Sequence, residues 1–212
     1  MATIKCSYSP IDSGNMAFQY AIALTGSIAT GKSTAVGYLA ELGFDIIDAD
    51  YIAHGILNEE HEAISRLFGA DLVKEDRVDR KALGNIVFSD AYKRKQLEDL
   101  LHPLIYLRIE ALSRDLDKGS RPYFVDIPLF FEGSRYPIEK TLVVYTPANV
   151  QLQRLMRRDG TDLDEAQKRI DIQISIEEKR KKADYVIDNS GTLAALKQEC
   201  IRVKEEILGD FK

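Results

Sequence analysis

The stretch Gly26-Ser27-Ile28-Ala29-Thr30-Gly31-Lys32-Ser33 matches the pattern G-x-x-x-x-G-K-[ST] of a phosphate-binding loop. An apolar run of strand length, residues 18–24, precedes it, and residues 32–42, with apolar side chains at helical spacing, follow it and stop at Gly43. Glycines let successive backbone N–H groups face a phosphate, and the start of a helix adds its dipole. The sequence therefore predicts a strand, a phosphate loop and a helix in this order.

The residue types in this stretch predict a nucleotide site that uses Mg²⁺. Lys32 is expected to reach the terminal phosphates, Ser33 to offer a hydroxyl to Mg²⁺, and Thr34 to contact another phosphate oxygen. A glycine-rich turn with a serine cap is the alternative, and it leaves Lys32 without a role. The chain contains no N-K-x-D guanine motif, which argues against a GTPase. The expected nucleotide-binding residues of the loop are Gly26, Ser27, Ile28, Ala29, Thr30, Gly31, Lys32, Ser33 and Thr34.

The composition is that of a globular protein with one substantial domain. The 212 residues are 45% hydrophobic and 30% charged, and the formal net charge is -5. This charge argues against a protein that mainly binds nucleic acid or an anionic membrane. The sequence has no apolar run of membrane-spanning length and no signal peptide pattern. Its 2 cysteines, Cys6 and Cys200, have no metal-ligand spacing and suggest neither a disulfide framework nor a zinc site, so we predict a cytoplasmic protein. The sequence implies no obligate protein partner.

The order of predicted elements indicates a three-layer α/β fold with a parallel sheet. Further strands are expected at residues 44–47, 123–126, 141–145 and 185–187. Helices are expected at 51–57, 59–68, 80–88, 90–101 and 104–117, where Pro103 would open the last one, and at 147–159, 163–182 and 193–208. Residues 1–15 are small, polar and aperiodic, and we interpret them as a disordered leader, an upstream start or a cloning remnant.

Two carboxylates follow the second predicted strand, where an acceptor hydroxyl could lie beside the terminal phosphate. Asp48 and Asp50 are two residues apart, so on an extended chain their side chains share one face. Both could then look into the crevice beyond the strand ends. A helix cap at Asp50 and a solvated turn are the alternatives.

From residue 21 to residue 208 the sequence resembles the dephospho-coenzyme A kinase family. The resemblance implies that ATP phosphorylates the ribose 3′-hydroxyl of dephospho-coenzyme A, the last step of coenzyme A synthesis. It rests on six motifs in family order: ALTGSIATGKST at 23–34, LGFDIIDADYIAH at 42–54, LLHPLI at 100–105, DIPLFFE at 126–132, QLQRLMRRD at 151–159 and KRKKADYVIDNSG at 179–191.

The resemblance also implies roles on the acceptor side. Asp50 corresponds to an aspartate near the acceptor hydroxyl and would be catalytic together with Lys32, with Asp48 as its neighbour in substrate binding. His102 could contact the acceptor or be structural. His54 stands where the family often has arginine, so a titratable group replaces a permanent charge in the predicted substrate site.

On the nucleotide side, the resemblance implies a mobile lid with catalytic arginines. Arg154 and Arg158 match its R-x-x-x-R-D pattern and lie on one helix face, whereas Arg157 is predicted to lie off that face. A solvated helix surface is the alternative. Asn189 is expected to read the adenine or simply to form a turn. Asp126 is a candidate for holding Mg²⁺, although the family also has apolar residues there.

These assignments divide the chain into three parts. Residues 16–50, 120–148 and 183–212 would form the nucleotide-binding core, residues 51–119 the helical acceptor region, and residues 149–182 the lid. Two rival functions remain at this point: a kinase for another small acceptor, such as a nucleoside or shikimate-like kinase, and a regulatory module that binds ATP without transferring phosphate. The motifs at 42–54 and 100–105 argue against the first, and the paired aspartates argue against the second.

Overall fold

A computed structural model describes residues 17–133 and 136–212. The predicted leader, residues 1–15, lies outside the described residues. The strands are β1 (Ala21–Gly26), β2 (Ile46–Asp48), β3 (Val73–Lys74), β4 (Arg77–Val78), β5 (Tyr123–Asp126), β6 (Lys140–Tyr145) and β7 (Tyr185–Asp188).

The helices alternate with the strands except between β2 and β5, where four helices surround a small hairpin, and between β6 and β7, where three helices follow one another. They are α1 (Lys32–Glu41), α2 (Ala49–Glu59), α3 (His61–Phe68), α4 (Arg80–Ser89), α5 (Ala91–Asp117), α6 (Phe130–Gly133), α7 (Ala148–Asp159), α8 (Leu163–Asp171), α9 (Ile176–Lys182) and α10 (Leu193–Asp210). None of the described helices is both long and apolar enough to cross a bilayer.

A parallel sheet of five strands forms the centre of the described ranges, in the order β2-β5-β1-β6-β7. Alternate residues of β1 pack on opposite faces, as a strand buried on both sides requires. Ile22 and Leu24 belong to a core with α1 and α10, whereas Ala21 and Ala23 belong to a core with α5. This arrangement confirms the predicted three layers and places the β1–α1 loop at the carboxyl edge of the sheet, where ligands bind in such folds.

The helical stretch between β2 and β5 builds a core of its own. Its buried residues come from α2, α3, α4 and the small hairpin of β3 and β4, and the first half of α5 packs against them through Leu97, Leu100 and Leu101. The second half of α5 packs on the sheet through Ile109 and Ile105. One helix therefore joins the two cores.

The predicted helix break at Pro103 is wrong. α5 is a single helix of 27 residues with Pro103 inside it. A proline in a helix removes one hydrogen bond and costs about 3 kcal/mol. The apolar side chains on both sides of Pro103 are packed into two separate cores, and this packing holds the helix continuous across it.

Two smaller differences have local causes. β1 begins three residues later than predicted, because Phe18 adopts a left-handed conformation (φ 72°) in the turn that precedes it. The hairpin of β3 and β4 was not predicted, since each strand has only two residues and shows no period. The turn residues Glu75 and Asp76 have φ values of 48° and 58°, a conformation usually supplied by asparagine or glycine.

Candidate active site

The loop between β1 and α1 is tightly folded around two glycines. A β-carbon at Gly26 would lie 2.8 Å from Thr30 Oγ1 and 3.2 Å from the carbonyl oxygen of Val144. At Gly31, where φ is 84°, it would lie 2.1 Å from Asn189 Nδ2. Both positions therefore require glycine, which explains the spacing seen in the sequence.

The loop borders a cleft of about 700 Å³ at the carboxyl edge of the sheet. All eight residues of the G-x-x-x-x-G-K-[ST] stretch line it, as do side chains from α2, from the segment after β5 and from the helices of the predicted lid. These additional lining residues are Asp50, Pro128, Arg154, Arg157, Arg158 and Gln173.

Lys32, which lines the cleft, forms an ion pair with Asp126, which ends β5 and does not line it. Its Nζ atom contacts both carboxylate oxygens, at 2.6 Å from Oδ2, and the Asp126 side chain is only 8% exposed. Burial raises the pKa of Asp126 above its ordinary value, and the nearby charges of Asp48 and Asp50 raise it further, while Lys32 lowers it. Lys32 therefore offsets part of the cost of burying the Asp126 carboxylate.

The two aspartates after β2 do not share a face of an extended chain, so that prediction is wrong. Asp48 is the last residue of β2 and the N-cap of α2, and its carboxylate accepts a hydrogen bond from the N–H of Tyr51 at 2.9 Å. Asp50 already lies in the first turn of α2 and lines the cleft, whereas Asp48 does not. The predicted alternative of a helix cap holds for Asp48 and not for Asp50.

The arginines of α7 reach the cleft differently from the prediction. Arg157 was expected to face away, yet it lines the cleft together with Arg154 and Arg158. The prediction assumed that only the two arginines four residues apart share the face of α7 toward the cleft. Arg154, Arg157 and Arg158 together cover the side of the helix that faces the loop. In the described part of the chain, neither Arg154 nor Arg157 forms an ion pair.

Arg158 is held in place by a neighbouring carboxylate. Its Nε and NH2 atoms donate to Asp159 at 2.6 and 3.1 Å, and Arg169 of α8 donates to the same carboxylate at 2.6 Å. These contacts, with that of Arg158 the largest, lower the pKa of Asp159 from 3.8 to about 2. Asp159 thus links the end of α7 to α8 and fixes the orientation of one cleft arginine.

Several predicted site residues lie elsewhere. His54 is exposed on α2, His102 is partly buried within α5, and Thr34 is exposed on α1, and none of the three lines the cleft. Asn189 is only 6% exposed, and its Nδ2 atom donates to the carbonyl oxygen of Thr30 at 2.8 Å. Because this amide is occupied by the loop itself, the position does not favour the predicted contact with adenine.

Sequence reasoning missed Gln151 and Gln173, and it placed Lys179 in the lid without predicting its burial or its contact with the loop. Gln151 of α7 donates to the carbonyl oxygen of Ile28 at 2.7 Å, and Gln173 accepts from the N–H of Ile28 at 3.0 Å. Lys179 of α9 is fully buried, donates to the carbonyl oxygen of Gly26 at 2.8 Å and pairs with Glu132 at 2.6 Å. Charge and polarity suggested a solvated surface for these residues, and no pattern in the sequence marks them as buried.

Comparisons with known proteins identify the family of this chain. The family model described as dephospho-CoA kinase matches residues 20–195. A dephospho-CoA kinase from Sulfurimonas denitrificans is 46% identical over 92% of this chain and 98% of its own length. A solved structure, the dephospho-CoA kinase from Campylobacter jejuni, is 42% identical and has a TM-score of 0.67 over 89% of this chain and 97% of that chain.

A more distant structure shares the fold alone. The shikimate kinase from Acinetobacter baumannii is 18% identical, with a TM-score of 0.50 over 90% of this chain and 94% of that chain. At this identity the likeness shows the fold and nothing finer. The family rests on the match over residues 20–195 and on the identity with the relatives, and the chain belongs to the dephospho-CoA kinase family.

Proposed function

We propose that this chain transfers the terminal phosphoryl group of ATP to the ribose 3′-hydroxyl of dephospho-coenzyme A, with the cleft at the β1–α1 loop as its active site. Family membership supports the reaction, since the relatives that match nearly the whole chain are dephospho-CoA kinases. The observation that carries the proposal is that one cleft combines the phosphate loop, three arginines and a carboxylate, Asp50.

ATP would bind with its phosphates against the loop and the start of α1. The left-handed conformations of Ala29 (φ 61°) and Gly31 (φ 84°) turn the backbone around the place where the phosphates would sit. Lys32 would leave Asp126 and bind the terminal phosphates, because a phosphate group offers more negative charge than a single carboxylate.

Ser33, which lines the cleft, and Asp126, which pairs with Lys32 beside it, fit a magnesium ion that arrives with the nucleotide. Ser33 is exposed at the first turn of α1, and Asp126 ends the neighbouring strand β5, so a hydroxyl and a carboxylate oxygen are available, as Mg²⁺ prefers. When held there, the ion would offset the negative charge of the phosphates. Asp126 would become available to the ion, directly or through water, once Lys32 has turned to the phosphates.

Asp50 would position the acceptor hydroxyl. An aspartate with an ordinary pKa near 3.9 is a weak base at neutral pH, and phosphoryl transfer has a loose transition state that needs little early proton removal. Asp50 would therefore act mainly by orienting the hydroxyl toward the terminal phosphorus and by accepting its proton late. The neighbouring helical region, residues 51–119, would bind the rest of the acceptor.

The arginines of α7 would stabilise charge on the transferring phosphoryl group. Their planar guanidinium groups can bridge two phosphate oxygens, and α7, whose arginines fall within the proposed lid at residues 149–182, carries them on one side of the cleft. Closure of this part over bound substrates would exclude water from the reacting groups. The predicted cytoplasmic location, and the predicted absence of nucleic acid and obligate protein partners, remain predictions.

A coupled assay with the purified protein tests the proposal. ATP and Mg²⁺ are supplied with dephospho-coenzyme A or, separately, with adenosine or shikimate as the acceptor, and the products are identified by mass. We expect ADP formation that depends on dephospho-coenzyme A and yields coenzyme A. Efficient transfer to a different acceptor, or ATP binding without transfer to any of them, would contradict the proposal.

A further inference from the structure

The outward carbonyl groups of the phosphate loop are each held by a side chain from another part of the chain. The carbonyl oxygens of Gly26, Ile28 and Thr30, which are alternate residues, accept hydrogen bonds at 2.8, 2.7 and 2.8 Å. The donors are Lys179 on α9, Gln151 on α7 and Asn189 after β7. They lie 153, 123 and 159 residues away along the chain.

These donors are buried, so their contacts with the loop are sheltered from water. Lys179 is 0% exposed, Gln151 1% and Asn189 6%. In the described residues, Oε1 of Gln151 is buried and makes no hydrogen bond. A buried oxygen without a partner is unfavourable, so stability alone would not favour glutamine here. What glutamine contributes at this position is the hydrogen bond that its Nε2 atom donates to the loop.

The geometry of the peptide bond connects each held carbonyl to the next N–H group. In a trans peptide the carbonyl of one residue and the N–H of the next point in opposite directions, and the described peptide bonds are all trans. Fixing the Ile28 carbonyl outward turns the Ala29 N–H toward the other side. Fixing the Thr30 carbonyl does the same for the Gly31 N–H.

Both of these N–H groups are available to a ligand. Ala29 and Gly31 line the cleft, and across the described ranges no hydrogen bond engages either N–H. The N–H of Thr30, which lies between them, is instead bonded to the carbonyl oxygen of Ser27 at 3.2 Å, and the N–H of Ile28 before them is bonded to Gln173. Along residues 28–31, N–H groups that are hydrogen-bonded within the protein therefore alternate with N–H groups that are not. The unbonded ones belong to the peptide groups whose carbonyl oxygens are held.

We infer that Gln151 and Asn189 are positioning residues for phosphate binding: Gln151 orients the N–H of Ala29, and Asn189 orients the N–H of Gly31, toward the nucleotide phosphates. Lys179 does the same at the base of the loop, where its ammonium group holds the first peptide after β1. This inference rests on the proposed function, because it assumes that the cleft binds a nucleotide. It also replaces the predicted contact of Asn189 with adenine.

The inference makes a residue-specific prediction for the two amides. In ¹⁵N-labelled wild-type protein, adding ADP should shift the amide proton resonances of Ala29 and Gly31 downfield, because both donate to phosphate oxygens. In Gln151→Met, which is uncharged and nearly the same size, the Ala29 shift should be lost and the Gly31 shift kept. In Asn189→Ala the pattern should be reversed.

Affinity and stability separate positioning from folding. Gln151→Met should weaken ADP binding by about 3- to 10-fold, the usual range for one hydrogen bond, with little change in the melting temperature. Gln153→Met is the matched control, since Gln153 is exposed on the same helix and does not line the cleft. It should leave the affinity and both amide shifts unchanged.

The results distinguish this inference from the function on which it rests. Wild-type protein that shows no ADP binding would overturn the proposed function and, with it, the inference. Wild-type binding together with an unchanged Ala29 shift in Gln151→Met would overturn the inference alone, as would equal loss of both shifts in Gln151→Met. If Asn189→Ala does not fold, the Gln151→Met and Gln153→Met pair decides the matter by itself.

Discussion

The two sides of the cleft are built in different ways. On the nucleotide side, the loop is packed against buried polar side chains, among them Lys179, Gln151 and Asn189. On the acceptor side, Asp50 and His54 are exposed on α2, and the aromatic side chain of Tyr51 between them is 77% exposed.

This difference indicates how much of each binding site the folded chain provides before any substrate is present. The nucleotide side already has its backbone conformation, its glycine contacts and its charged partner for Lys32. The acceptor side offers a carboxylate at the start of a helix, with no comparable set of buried contacts in the described ranges. Apart from the nearly isosteric Gln151→Met, we expect mutations on the nucleotide side to change both stability and activity, and those on the acceptor side to change activity alone.

The largest effect should come from Lys32→Ala. Turnover should fall by about 10³-fold, because a positioned charge on the transferring group is lost. The melting temperature should also fall, since the buried carboxylate of Asp126 loses its partner, at a cost of about 1–3 kcal/mol. Adding Asp126→Asn to this variant should restore the melting temperature but not the turnover. A Lys32→Ala variant with wild-type stability would remove the distinction between the two sides.

The stability of Lys32→Ala should depend on pH in a defined direction. Without Lys32, the influences that raise the pKa of Asp126 remain and the one that lowers it is gone. An acid whose pKa is higher in the folded state than in the unfolded state binds protons preferentially when folded, so stability falls as the pH rises through that interval. The deficit relative to wild type should therefore shrink as the pH is lowered toward 4, measured by chemical denaturation. A deficit that grows on acidification would contradict the pairing of Asp126 with Lys32.

The acceptor side is tested by Asp50→Asn. Turnover should fall by about 10²-fold or more while ADP affinity and the melting temperature stay near wild type, because Asp50 is exposed and would act on the acceptor hydroxyl. Asp48→Asn is the matched control, since asparagine caps a helix as well as aspartate does and Asp48 does not line the cleft. A larger turnover loss in Asp48→Asn would show that the other carboxylate contacts the acceptor.

The arginines between the two sides should give intermediate effects. Arg154→Lys and Arg158→Lys keep the charge but lose the planar fork, and each should lower turnover by about 10-fold to 10²-fold if the arginines share the transition-state charge. Arg157→Lys should have a smaller but measurable effect, because Arg157 also lines the cleft. Arg114→Lys, an exposed change on α5, is the control. Effects equal to that of the control would indicate a charged surface rather than a lid.

The smallest effect concerns Asp159, which joins α7 to α8 through Arg158 and Arg169. The pKa of Asp159 is lowered to about 2, so its contribution to stability is present above pH 3.8 and is lost as the pH falls toward 2. The melting temperatures of wild type and Asp159→Asn should therefore differ slightly at pH 5 and converge between pH 4 and 2. A constant gap across this range would mean that the carboxylate charge does not stabilise the contact.

The nucleotide side was the easier part to predict, because its chemistry depends on residues adjacent in sequence. The phosphate loop needs glycine at 26 and 31 and lysine at 32, and these positions form a local pattern. The strands around it are apolar runs, and their order implies the parallel sheet. The local spacing of residues was therefore enough to predict the fold class and the position of the loop.

Contacts between distant residues could not be predicted in the same way. Gln151 and Gln173 lie in segments that look like solvated helix surface, and only the folded chain brings them to Ile28. The roles of Asp48 and Asp50 were misjudged because the start of α2 was placed two residues too late. The continuity of α5 depends on two cores that no local window contains.

The passage of α5 through Pro103 also limits how this chain can be recombined. The boundary proposed at residue 119 suggests that residues 51–119 could be exchanged for the corresponding segment of another kinase. Such an exchange would also replace Ile105 and Ile109, which pack beneath the sheet, and Asp117, which accepts hydrogen bonds from the N–H groups of Gln19 and Tyr20. A chimaera that keeps residues 104–119 from this chain and joins the foreign segment at Pro103 would leave the sheet core intact. The best junction for such an exchange therefore lies inside a helix and not in a loop.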